Sequence, residues 1–192
     1  TQRALAGVGR TPDAARLGAG DIKLASFNVL NYFTTLGADV PGCTPYKDRA
    51  GQGVTVDECS GNGPRGAWDA ANLQRQQDKI VAAINAADAD VIGLLEIENS
   101  LVLGETADEA TATLVAALNT ADPSKHWKHV ASSSDLPAVA QQDVISNAMI
   151  YRSDVVEPVG RSRALGHLSD KTKNQPFGNA REPLAQAFAP VD

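Results

Sequence analysis

Apolar residues along this chain gather into a few runs, each with its own period. Between Asp21 and Tyr32, Ile22, Leu24, Phe27, Val29 and Leu30 make the β-rich pattern of a buried strand that delivers Asn28 near its end. After Asp69, Leu73, Gln77, Ile80, Ile84 and Ala87 recur at three- and four-residue spacing. That spacing predicts a helix capped by Asp69, with Gln74, Arg75 and Asp78 on its solvated face. Asp88-Ala89-Asp90 breaks it, and Val91-Ile92-Gly93-Leu94-Leu95 follows as a continuous apolar run, the form of a strand covered on both faces. The chain therefore opens as β-α-β. A second helix is expected from a Thr106-x-x-Glu109 capping box through Ala110, Leu114 and Leu118. Trp127 to Val130, Ser146 to Tyr151 and Leu184 to Phe188 read as further strands. Residues 1–20 are Ala/Gly/Arg-rich without a period and read as an arm or linker, leaving 21–192 as one domain. Thr34 to Gly66, dense in Gly, Pro, Asp and Asn, reads as a loop long enough to need a function or a cross-link.

With 192 residues, 43% hydrophobic and 21% charged, the chain can bury one core. No apolar run approaches the roughly 18–20 residues of a membrane span, which excludes a spanning protein of the helical kind. The net charge of −6 argues against holding nucleic acid by phosphate neutralisation alone, but not against an enzyme that meets phosphate through a bound metal. Cys43 and Cys59 both lie in the Gly/Pro-rich stretch, where a disulfide is favoured over two unrelated loop thiols. Such a link would constrain the unfolded chain by about 3 kcal/mol. The chain starts at Thr1 and its one methionine is Met149, so the expectation is a processed, secreted polypeptide or a piece of a longer one.

The candidate chemistry lies in polar residues set in apolar strands. Glu96 directly follows Val91–Leu95, and a carboxylate at a buried strand end costs several kcal/mol unless solvated, paired or bound to metal. Mg²⁺ takes one or two carboxylates and completes its shell with water and substrate phosphate, a role that suits Glu96 with Asn28 beside it. The competing reading has Glu96 emerging into solvent and Asn28 closing a turn. Arg181, in Asn-Ala-Arg-Glu-Pro, either clamps a phosphate or pairs with a neighbour such as Glu182. His126, His129 and His167 have no orienting carboxylate nearby in sequence and read as surface or packing residues. There is no Walker loop, no His-Glu-x-x-His helix and no Gly-x-Ser-x-Gly elbow, which leaves phosphoryl chemistry with an oxygen-ligated metal as the best enzymatic reading.

Four segments, Ser26-Phe27-Asn28-Val29-Leu30-Asn31-Tyr32-Phe33, Arg75-Gln76-Gln77-Asp78-Lys79-Ile80, Ala89 through Asn99 with its Leu-Leu-Glu-Ile-Glu-Asn core, and Arg181-Glu182-Pro183-Leu184, together resemble the endonuclease/exonuclease/phosphatase superfamily. Within it they look most like the secreted bacterial nucleases related to deoxyribonuclease I. The resemblance implies an α/β (α+β) fold, a four-layer sandwich of two β-sheets flanked by helices, of which this chain supplies about the first half. It implies a metal-dependent phosphodiester hydrolase cleaving DNA or RNA, with Mg²⁺, Ca²⁺ or Mn²⁺ as cofactor and an extracellular location. By position, Glu96 and Asn28 resemble the metal-binding residues, Asn28 also meeting the scissile phosphate. Arg181 resembles a phosphate-contacting arginine, and Asp143 falls near a substrate contact. The family's later Asn-His, Gly-Asp-x-Asn and Asp-His elements do not occur in the sequence. The general base is therefore expected on a missing second half of the domain, with the isolated fragment inactive. The alternatives are the same fold acting on a phospholipid or sugar phosphate, and a non-catalytic binding module.

Overall fold

The computed structural model describes residues 22–169 and 173–191. The arm expected over 1–20 lies outside them. Eight strands and two helices follow in the order β1 (Leu24–Tyr32), β2 (Cys43–Lys47), β3 (Gly53–Cys59), α1 (Ala70–Ala87), β4 (Val91–Glu98), α2 (Glu109–Ala121), β5 (Trp127–His129), β6 (Ile145–Arg152), β7 (Val156–Ala164) and β8 (Leu184–Pro190). The main sheet has the order β1-β4-β6-β5, and the other two sheets are the pairs β2-β3 and β7-β8.

The β-α-β opening is present: β1 and β4 run parallel, joined through α1. Asp69 caps α1 by accepting from the Asn72 backbone N–H at 2.9 Å. The helix stops where Asp88 turns left-handed. The period-2 alternation of the strands then sorts their side chains between two faces. Val29, Ile92, Leu94 and Ile150 meet Ile80 and Ile84 of α1 and Leu114 and Leu118 of α2, with Trp127 closing the cluster. Burying each such side chain contributes about 1.5–3 kcal/mol, so this contact fixes the helices on that face. Val91, Val130 and Tyr151 point the other way, against Val156 and Phe188 of the β7-β8 pair, the Tyr151 and Phe188 rings lying 5.4 Å apart. The result is a mixed α/β arrangement with both helices on one face of the main sheet and a second sheet against the other. Among the described residues β1 has no strand on its outer side, and Leu24 and Leu30 of this strand are exposed.

Two expectations are corrected and one strand was not foreseen. The Thr34–Gly66 stretch is not a plain loop but carries the β2-β3 hairpin, with Cys43 directly opposite Cys59 and bonded to it. Helix α2 begins at Glu109 rather than at a Thr106 cap, because Asp108 takes a left-handed turn and spends its carboxylate on Ser132. Only the return half of the capping box forms, Glu109 accepting from the Thr106 N–H. Finally, β7 has no apolar alternation strong enough to be read in advance; Gly160, Arg161 and Arg163 obscure it.

Candidate active site at the ends of β1 and β4

The parallel pair is regular as far as Asn28 opposite Leu95, and the next partners are Tyr32 and Ile97. Strand β1 thus spends two more residues than β4 over this step. On its other side β4 pairs Leu94 with Ala148 and then Ile97 with Ser146, one residue more than β6 uses. Both irregularities fall at one level of the sheet, and there the backbone enters the left-handed region at Leu30 (φ 54°), Asn31 (φ 53°) and Glu96 (φ 60°). Such a conformation costs a non-glycine residue about 1–2 kcal/mol. Bulges of this kind re-aim side chains, and they gather at functional sites.

Local hydrogen bonds hold the β1 irregularity. Asn28 Oδ1 accepts from the Leu30 N–H at 2.8 Å, and Gln76 of α1 donates Nε2 to the carbonyls of Val29 and Leu30 at 3.1 and 2.8 Å. The extra residue in β4 separates two nearby glutamates. Glu98 is buried and saturated: it accepts from Thr34 Oγ1 at 3.1 Å, the Thr35 N–H at 2.9 Å and Ser100 Oγ at 2.7 Å. Its charge, added to the larger effect of burial, pushes the Tyr32 phenol well above its ordinary value, and that hydroxyl donates to Gln77 Oε1 at 2.6 Å. Glu96, by contrast, is half-buried, and among the described residues its carboxylate has no hydrogen bond or ion pair.

Asp143 and Arg181 are brought to the same end of the sheet from distant sequence. Asn99, just past β4, donates Nδ2 to Gln142 Oε1 at 2.8 Å and to the Asp143 carbonyl at 3.0 Å. Asn147 of β6 donates to the Glu182 carbonyl at 3.2 Å, which seats the Arg181 segment. Arg181 Nη2 then lies 3.6 Å from Asp143 Oδ2, so its partner is Asp143 and not the adjacent Glu182. Among the described residues, Asn31 Oδ1 at the end of β1 and Arg181 Nε are buried without a hydrogen bond. The histidines take no part: His126 and His129 flank and end the strand at the far edge of the main sheet, and His167 lies in a short turn after β7.

Sequence reasoning missed Arg65. Its Nη2 lies 3.4 Å from Asp143 Oδ1, so one carboxylate faces two guanidiniums. The available signal was a lone cation between Pro64 and Gly66, close behind a cross-linked cysteine.

Among the described residues no three His, Cys, Asp or Glu side chains gather into a metal cage. A hard cation that keeps most of its water does not need one; a single free carboxylate beside an amide oxygen is a donor set that Mg²⁺ uses. The unpartnered Glu96 with Asn28 on the adjacent strand fits that description. No family model matches the chain, and no curated protein matches it.

Proposed function

We propose that this chain is part of a metal-dependent phosphodiesterase acting on nucleic acid, with Asn28, Glu96, Arg181 and Asp143 at its site. The observation that carries the reading is Glu96: a half-buried carboxylate without a partner among the described residues, held in a strained backbone at the level where both strands bulge. Burial without compensation is costly, and a bound cation removes that cost.

In this reading Glu96 and Asn28 hold a divalent cation, which supplies Lewis-acid polarisation of the phosphate and charge stabilisation on the leaving oxygen. Asn28 keeps its orientation through the bond to the Leu30 N–H, so its amide is set before substrate arrives. Arg181, with Asp143 fixing its guanidinium, offers charged donors to the phosphate oxygens. The histidine that activates water in the family resembled has no counterpart beside these residues. The proposal therefore places the base on a second half of a four-layer sandwich, packed where β1 and its exposed leucines are open. The disulfide agrees with an extracellular protein.

The test uses the full-length protein with plasmid DNA and a phosphorylcholine ester under one Mg²⁺ condition. DNA should be cleaved and the ester spared. Glu96→Gln should lower Mg²⁺-dependent cleavage by on the order of 10²–10³-fold and weaken Mn²⁺ binding in calorimetry. Near-normal cleavage by that variant would remove the metal role from Glu96.

A further inference from the structure

We propose that Arg65 grips the substrate strand, its guanidinium receiving a backbone phosphate next to the one that is cleaved; the proposal rests on the nuclease reading and adds a subsite to it. Asp143 stands between Arg65 and Arg181, and the three side chains sum to one positive charge. Both arginine contacts, at 3.4 and 3.6 Å, are longer than the roughly 2.7–2.9 Å of a charge-assisted hydrogen bond. The carboxylate orients the two forks without consuming their donors. Arg181 Nε, buried and without a hydrogen bond among the described residues, is a donor left for an anionic ligand to satisfy.

The backbone around Arg65 is fixed rather than loose. The Gly66 carbonyl accepts from the Val56 N–H at 2.9 Å. A Cβ on Gly66 would stand 2.4 Å from Phe33 Cβ and 2.9 Å from the Asn31 carbonyl oxygen, so this segment is pressed onto the irregular end of β1. Gly63 packs equally closely on the Cys59 sulfur. The disulfide thus closes the hairpin a short turn before the arginine and helps set where it emerges.

A groove of about 650 Å³ leads away from Asn28 and Asn31 between β1, the hairpin and α1. Arg65, Arg75 and Lys79 line it, and among the described residues no carboxylate does, although the chain as a whole carries a net charge of −6. A polyanion leaving the site past Arg65 meets two further cations on this path. The charge complementarity selects a phosphodiester strand over a small, single phosphate ester, which would not reach them.

The experiment measures binding of a short fluorescein-labelled single-stranded deoxyoligonucleotide to the full-length protein in EDTA, by anisotropy across a salt series. Arg65→Ala should weaken affinity about tenfold, the loss of one charge-assisted contact. It should also make the slope of log K on log salt shallower by about 0.7, the release of one phosphate contact from a single strand. Arg65→Lys should keep the slope and recover only part of the affinity, because it retains the charge and loses the fork. The Cys43→Ser/Cys59→Ser double variant should reproduce the Arg65→Ala result. If Arg65→Ala leaves slope and affinity unchanged while the unmodified protein cleaves DNA, the subsite is wrong and the nuclease reading stands. An Arg65→Ala protein that only melts earlier, with an unchanged slope, assigns the residue to stability and overturns the proposal. A wild-type protein that neither binds the oligonucleotide nor cleaves DNA with Mg²⁺ overturns both.

Discussion

Glu96 and Glu98 are two residues apart in one strand and meet opposite environments. Three donors converge on Glu98, so Glu98→Ala strands buried hydroxyls and an amide and should cost about 3 kcal/mol in urea denaturation. Glu96 has nothing comparable to lose, and Glu96→Gln should not destabilise the metal-free protein and should raise its stability by removing the uncompensated charge. The sequence could not separate them by pattern. In Leu-Leu-Glu-Ile-Glu-Asn strict alternation puts both glutamates on one face, and Glu96 stood out only by following the apolar run Val91–Leu95 and by the resemblance. What decides is the extra residue in β4, which depends on how β1 and β6 pair with it. Arg181 was legible as a phosphate candidate, but its partner was not, since Asp143 reaches it through contacts between residues nearly forty positions apart.

At the scale of elements, the period of the apolar residues made α1, β1 and β4 legible, because each buries one face or both in the local pattern. The β2-β3 hairpin was not. Its strands contain Pro45, Gly53 and Asp57, and they are held by the Cys43–Cys59 link and by the bridge from Thr55 to Ala67 rather than by an apolar stripe. The hairpin is nonetheless coupled to the site through Gly66. Gly66→Ala should destabilise the protein by about 1–3 kcal/mol, read by thermal denaturation, since its methyl has to displace Phe33 or the Asn31 carbonyl. The same variant should weaken oligonucleotide binding, because Asn31 ends β1 and Phe33 directly follows it.

For the whole molecule, two carboxyls outside the site bear on folding: Asp88 between α1 and β4, and Asp135 in the connection from β5 to β6. Asp88 is held below its ordinary value chiefly by the hydrogen bond from Lys23 at 2.7 Å, with Lys125 contributing. Asp135 is lowered in the same way by hydrogen bonds from Arg161 and Arg163. Both carboxyls bind protons less readily folded than unfolded. Their contribution is therefore complete above the unfolded value near 3.9 and is lost as pH falls through the lowered folded values. Melting temperature should hold down to about pH 4 and then drop, and the part due to these exposed groups should shrink in 1 M NaCl. At this scale the β-α-β opening was readable in advance, whereas the pairing of β7 with β8 was hidden by the polar residues of β7. The matched irregularities of β1 and β4 also constrain how such a chain can vary. A one-residue slip sends every later side chain of a strand to the other face. A deletion that tidied β4 alone would turn Ile97 out of the core and Glu98 away from its donors, so shortening either strand demands a compensating change in its neighbour. The two bulges should therefore be inherited as a pair, with lengths in this region drifting together or staying fixed while the surrounding loops gain and lose residues freely.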